Sequence, residues 1–236
     1  MQIFQWQDGN VWQGRPLKLA LGGFDAVHLG HRSILNQADA VAYFRVLPAE
    51  IFGANFKGYL RSEEQRLQIF KELGLKALLT IDFSANISKM SGEQFLTALY
   101  CQLPFTTLIT GEGFRLGYKR EWGRAEITVW AANRSSNYLV MPLTQLKGQQ
   151  VSSSHIRQLV LQGHFNLAKQ LLGGKSYSLS LTGLPNCHKD GEVVYNLNNV
   201  KQVVPPAGCY SSEQGRVLLK DKNLYITNKT DEIVFY

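Results

Sequence analysis

LALGGFDAVHLGHRSILNQA, residues 19–38, decides how the rest of the chain is read. Leu17, Leu19 and Leu21 alternate and run into Gly22-Gly23, as a strand entering a turn does. Ile34, Leu35, Ala38 and Val41 then recur at helical spacing, which predicts a helix over them. A strand, a glycine turn and a helix in that order form the first half of a βαβ unit. The same order continues outward. VAYFRVLP predicts a second strand that stops at Pro48. Ser62 is placed to cap a helix over EEQRLQIFKELG, with Leu67, Phe70 and Leu73 on one stripe and Gly74 at its end. KALLTIDF predicts a third strand. Ser91 opens a helix with Phe95, Leu96 and Leu99 on its apolar face. TTLITG and NYLVMPL predict a fourth and a fifth strand. This alternation implies an α/β fold with a parallel sheet covered on both faces. In such sheets ligands bind beyond the carboxyl ends of strands, where the strand order switches.

The pattern changes after Leu172. Gly173-Gly174 ends a helix, and YSLSL, EVVYNL, RVLL, LYIT and EIVFY follow as short strands between polar turns. Residues 1–173 are therefore expected to form the α/β domain and residues 174–236 a small all-β domain.

Composition narrows the class. A hydrophobic content of 44% supplies a buried core, and no apolar run approaches the roughly 18 residues that span a bilayer. The beginning MQIFQWQDGN lacks the basic and apolar regions of an export signal, so a cytoplasmic, non-membrane protein is expected. Cys101, Cys187 and Cys209 are far apart and form no C-x-x-C, which argues against a disulfide scaffold or a zinc site. The net charge is +7. Residues 1–170 hold 18 Lys and Arg against 12 Asp and Glu, and the remainder holds 7 against 6. Anionic partners suit that balance. No dense basic cluster with interleaved aromatics occurs, so phosphorylated small molecules are expected and nucleic acid is not.

Three segments carry candidate chemistry. His28 and His31, three apart across Gly30, can face one side of a helix's first turn, whose free N–H groups suit a phosphate. Imidazole donors there can stabilise charge growing on a phosphoryl group. The spacing also admits a metal pair, with Asp25 nearby, or two solvated histidines. In VSSSHIR, residues 151–157, Ser152 or Ser153 can cap a helix. Ser153, Ser154 and Arg157 then form either a second anion cradle or an ordinary cap with a solvated arginine. In GEGFRLGYKREWG, residues 111–123, glycines and aromatics accompany Arg115, Lys119 and Arg120. This is either a loop over a ligand or a long surface loop. Its glycine spacing is not the dinucleotide fingerprint, and no helical pattern is seen directly after it. Gly174-Lys175-Ser176 is not a P-loop, because Lys169 stands where the first glycine belongs.

Taken together these segments resemble the adenylyltransferase half of bacterial bifunctional riboflavin kinase/FAD synthetase, within the H-x-G-H nucleotidyltransferases. The resemblance covers about residues 1–173. It begins at GGFDAVHLGH, continues through the strand ending at Pro48 and RSEEQRLQIFKELGL, passes GEGFRLG, and closes with SSSHIR. It implies a Rossmann-like nucleotidyltransferase domain that transfers AMP from ATP to FMN, giving FAD and pyrophosphate. It further implies that His28, His31 and Arg157 are catalytic, and that Gly22, Gly23, Phe24, Asp25, Gly30, Ser153 and Ser154 surround ATP and its phosphates. Gly111, Gly113, Phe114 and Arg115 belong, on the same resemblance, to the flavin loop. Mg²⁺ is implied as an ion carried on the ATP phosphates, with no protein ligand assigned. Two other functions fit the motifs: an H-x-G-H transferase acting on a non-flavin phosphate, and a non-catalytic flavin or nucleotide binder.

The chain departs from the family pattern at Gly23, where Asn is usual, at Ala26, where Gly is usual, and at Gly113, where Asp or Asn is usual. The family's kinase half carries G-x-P-T-A-N. The nearest string here is GLPNCH, with Asn186 and His188 where Thr and Asn belong. PPAGCY only faintly resembles a later family strand. A reduced kinase-like remnant without riboflavin kinase activity is the expectation.

Overall fold

A computed structural model describes residues 1–53 and 56–236. Backbone contacts group the chain into two compact units. The first holds Met1–Phe24, Gly30–Phe56 and Leu67–Gln145, and the second holds Asp25–Leu29, Lys57–Arg66 and Leu146–Tyr236.

The elements in the first stretch of chain are β1 (Gln2–Gln5), β2 (Leu17–Gly22), α1 (Leu29–Leu35), β3 (Ala40–Val46), α2 (Pro48–Phe52) and α3 (Glu63–Glu72). Then come β4 (Ala77–Asp82), α4 (Ala85–Lys89), α5 (Gly92–Gln102), β5 (Phe105–Gly111), α6 (Arg124–Ala132) and β6 (Asn137–Met141). The six strands form one sheet in the order β1-β4-β3-β2-β5-β6, and every pair is parallel. The chain moves outward from β2 in one direction and then restarts with β5 on its other side. The switch point therefore lies between the carboxyl ends of β2 and β5.

Burial explains the sheet. Leu19–Leu21, Ala40–Tyr43 and Ala77–Ile81 are buried without alternation, as strands covered on both faces must be. On one face Leu19, Leu21, Leu79 and Leu108 share a core with Leu96 and Leu99 of α5 and Ile127 and Trp130 of α6. On the other, Phe70 of α3 packs edge-on against Tyr43 of β3, ring centroids 5.4 Å apart. Helix α5 starts from a capping box in which Ser91 and Gln94 satisfy each other's amides. Ser62 and Gln65 do the same at the start of α3.

Three expectations require correction. The first helix is shorter than its apolar spacing predicts. It ends at Leu35, Ala38 lies in the turn after it, and Val41 belongs to β3. The Asp39 amide donates to the Lys18 carbonyl at 2.8 Å, which draws the chain into the sheet before another helical turn can form. Second, a helix does follow the Gly111–Gly123 loop directly. Glu126 accepts from the Gly123 amide at 2.8 Å and starts α6, with Ile127, Trp130 and Ala131 facing inward. Third, β1 adds an edge strand beyond the five expected.

The short strands β7 (Gln145–Leu146) and β8 (Gln149–Gln150) lead to the second unit's helices, α7 (Ser153–Leu161) and α8 (Phe165–Leu171). Strands β9 (Ser178–Ser180), β10 (Asn186–Lys189), β11 (Glu192–Asn196), β12 (Gly208–Ser212), β13 (Gly215–Lys220), β14 (Asn223–Ile226) and β15 (Glu232–Val234) complete it. Five form an antiparallel sheet, β10-β11-β14-β13-β12, and β15 pairs antiparallel with β9. β10 and β12 were not among the strands expected. Phe165 stacks on Phe235 at 4.8 Å within a core that also takes Ile156, Val160, Tyr177, Tyr195 and Val217. Leu60 and Ala26 are buried in the same core. Among the described residues no helix is long and apolar enough to cross a membrane.

Candidate active site

The turn that leaves β2 is tight at its two glycines. A Cβ on Gly22 would sit 3.2 Å from the Phe24 ring, and one on Gly23 would sit 2.9 Å from Cδ2 of Leu47. The place of a side chain at residue 23 is therefore filled by Leu47. Phe24 and Val27 both have left-handed backbones, each with φ of 45°. That conformation is uncommon outside glycine and worst for a β-branched residue, so the surroundings must enforce it.

Asp25 and His28, with Ser153, Ser154 and Arg157, fall in the second unit; Phe24, Gly30 and His31 fall in the first. Asp25 is 4% exposed. Its carboxylate accepts from the Leu60 amide at 2.9 Å and from Nη2 of Arg157 at 2.6 Å. Burial lifts this carboxyl above its usual range, and the Arg157 charge with the amides of Leu60 and Arg61 pulls it back. His28 is 5% exposed, and burial holds its imidazole at about 4, so it is neutral at pH 7. His31, in the first turn of α1, meets the edge of the Phe24 ring at 5.2 Å between centroids.

Helix α7 is capped by Ser152, whose Oγ accepts from the His155 amide at 3.2 Å. That leaves Ser153 and Ser154 as its first two residues. Arg157 donates to the Gly58 carbonyl at 2.9 Å and to the Ser153 carbonyl at 3.5 Å, besides its ion pair with Asp25. It is a clamped guanidinium, not a solvated one.

The loop after β5 is built differently. Leu116 and Trp122 exchange backbone hydrogen bonds and close it into a hairpin. Arg115 folds back, donating to the carbonyls of Arg120 at 2.8 Å and Glu121 at 3.4 Å. Its guanidinium holds the loop's shape. Gly113, with φ of 78°, and Phe114 line a cavity of about 640 Å³ with Phe44, Pro48, Phe52, Phe83, Met90 and Phe95. Phe52 is 65% exposed and Tyr118 47% exposed beside it, so the aromatic lining opens to solvent.

Sequence reasoning missed Gly58, Leu60 and Arg61 as parts of this machinery. Gly58 has φ of 101°, and a Cβ there would lie 2.8 Å from backbone atoms of Lys201 and Gln202, yet its carbonyl is an anchor for Arg157. Only the glycine itself signalled this in the sequence. Among the described residues no three His, Cys, Asp or Glu side chains gather as metal ligands, and Asp25 is committed to Arg157.

Comparison with known proteins adds four findings. The family model described as FAD synthetase matches residues 12–155. The chain is 24% identical over 217 residues to a FAD synthetase of Listeria monocytogenes, covering 86% of this chain and 83% of that one. It is 26% identical over 174 residues to a bifunctional riboflavin kinase/FMN adenylyltransferase of the same organism, covering 69% of this chain and 55% of that one, so it spans about half of the longer relative. Its fold matches the crystal structure of a macrolide-efflux protein from Streptococcus pneumoniae with a TM-score of 0.77, at 16% identity, over 100% of this chain and 98% of that one. That last likeness concerns the fold.

Proposed function

The chain belongs to the FAD synthetase family, and from that premise we propose that it is an ATP-dependent FMN adenylyltransferase making FAD and pyrophosphate. One observation carries the proposal. Beside the neighbouring strands β2 and β5, at the switch point of a parallel sheet, the chain places a histidine signature after one strand and an aromatic cavity after the other. A phosphoanhydride and a flavin ring need those two kinds of surface.

In the reaction proposed, an oxygen of the FMN phosphate attacks the α-phosphorus of ATP in line. The new O–P bond forms as the α–β bridging bond breaks, and pyrophosphate leaves with the electron pair. No covalent enzyme intermediate is required, because the phosphate is already a nucleophile at neutral pH. The protein's work is placement and charge neutralisation. His28, neutral at pH 7, and His31 are assigned to the α-phosphate as hydrogen-bond donors. Ser153, Ser154 and Arg157 are assigned to the departing phosphates. Gly22, Gly23, Phe24, Asp25 and Gly30 shape the turn around the nucleotide. The flavin ring is assigned to the cavity lined by Gly113 and Phe114, reached from Gly111 and held in shape by Arg115. Mg²⁺ belongs to the substrate as MgATP, and no step is routed through it.

We assign the transfer to residues 1–173 and read residues 174–236 as a kinase-like remnant without kinase activity. Asn186 and His188 lie exposed on β10, which supports that reading. The test is a pair of incubations of purified protein with MgATP. With FMN, FAD and pyrophosphate should appear in equal amounts; with riboflavin, no FMN should form. Absence of FAD in the first would overturn the proposed activity, and FMN in the second would restore a bifunctional enzyme.

A further inference from the structure

Polar contacts tie segment 58–65 to residues beyond Gly174. We propose, resting on the adenylyltransferase reading above, that residues beyond Gly174 position the turn after β2 and that Arg61 is the positioning residue through which they act.

The chain of contacts lies within the second unit. Asp25 opens the stretch that leads through left-handed Val27 to His28. Its carboxylate is fixed by the Leu60 and Arg61 amides and by Arg157. Those amides can fix it only if segment 58–62 is itself fixed, and, besides Arg157 at the Gly58 carbonyl, that segment is held by contacts that reach past Gly174. The Tyr59 amide donates to the Lys201 carbonyl at 2.8 Å, and the Val203 amide donates to the Tyr59 carbonyl at 2.8 Å. The Arg61 guanidinium donates to Oγ of Ser178 at 3.2 Å and to the Ser176 carbonyl at 3.1 Å. Ser178 Oγ also accepts from Gln65 at 3.0 Å, and Gln202 donates to Gln65 and to the Ser178 carbonyl, both at 3.1 Å.

Arg61, Ser178 and Gln202 are 6%, 4% and 6% exposed. A segment kept only to cover an apolar face would need none of these buried polar groups, since buried polar contacts contribute direction and register more than net stability. Their directionality is what a turn with an unfavourable backbone requires. Arg61 thus joins two things: its main chain faces Asp25, and its side chain is held by the start of β9.

Ser178→Ala and Arg61→Lys test this in the full-length protein. Ser178→Ala removes one oxygen shared by Arg61 and Gln65 with little change in volume. Each variant should lower kcat for FAD formation about tenfold, the order expected for one or two lost buried hydrogen bonds, with KM for FMN unchanged. The His28 imidazole, followed by NMR, should titrate higher than its value of about 4, toward 6.5, as the turn loosens and water reaches it. Val217→Ala in β13 is the control. It destabilises the same core without touching the network, and should leave kcat and the His28 titration as in the wild type. An unchanged kcat and His28 titration in Ser178→Ala would overturn the proposal, as would an equal loss of kcat in Val217→Ala. If Arg61→Lys does not fold, Ser178→Ala decides alone. If the wild type makes no FAD, the activity assignment fails, and the His28 titration still decides the positioning.

Discussion

The turn after β2 and the loop after β5 leave neighbouring strands of one sheet, and they are made firm in opposite ways. The turn carries two left-handed residues and a buried ion pair, and its His28 is desolvated to neutrality. The loop closes on its own main chain, uses its arginine as an internal brace, and presents rings to a cavity. Phosphate chemistry needs donors whose directions are set beforehand, because their value lies in charge stabilisation without reorganisation. A flavin ring needs area and shape, which the loop's aromatic residues supply, although Lys119 and Arg120 in that loop are left-handed as well. In the activity proposed, rigidity falls where charge moves and surface where it does not.

That contrast can be broken at four places, in falling order of effect. His31→Ala should lower the turnover of FAD formation by roughly 10²–10³, the usual consequence of losing one transition-state donor. KM for FMN should change little. Turnover kept within twofold of the wild type would remove His31 from the chemistry.

The second effect is on stability, through His28. Its imidazole sits at about 4 in the fold against 6.5 unfolded, so between those values the unfolded chain binds more protons. Stability should be full above pH 6.5, and should fall by about 3 kcal/mol as pH drops toward 4. Urea melts at pH 7 and pH 4.5 measure the loss, and His28→Gln should remove most of its pH dependence. A slope that survives in His28→Gln would place the titration elsewhere.

Third, Phe114→Ala should raise KM for FMN about tenfold, from the lost ring contact, and leave KM for ATP alone. The reverse outcome would exchange the two surfaces. Smallest is Gly113→Ala. Nothing lies within 4 Å of the added methyl, so only the backbone at φ of 78° objects, and about 1 kcal/mol of stability should be lost. A shift in melting temperature with unaltered kcat would place Gly113 in the shape of the loop and outside the chemistry.

Much of the sheet was legible, because its inner strands are rich in apolar residues and glycine or proline closes β2, β3 and β5. β2, β3, β4 and β5 follow directly from Leu19, Val41, Leu78 and Ile109 and their neighbours. β1 was not legible, since Phe4 is its only buried residue, and β10 has no buried residue at all. An element without a buried stripe leaves no periodic trace. Helix α6 was masked by the polar, glycine-rich loop before it, although Ile127, Trp130 and Ala131 carry the spacing. The site divides in the same way. His28, His31 and Arg157 could be named as candidates from their motifs. The partners that hold Arg157 could not, because Asp25 and Gly58 lie 132 and 99 residues away along the chain. Contacts at such separations are products of the fold and have no local pattern.

The contact between Leu47 and the vacant side-chain position at Gly23 bears on how this sequence can change. Asparagine, usual in the family at 23, would meet Leu47 2.9 Å from its Cβ. The atom met is the far end of a flexible side chain, so a rotamer change at Leu47 is the adjustment that asparagine at 23 requires. A library that varies residues 23 and 47 together would show whether the two positions change as a pair.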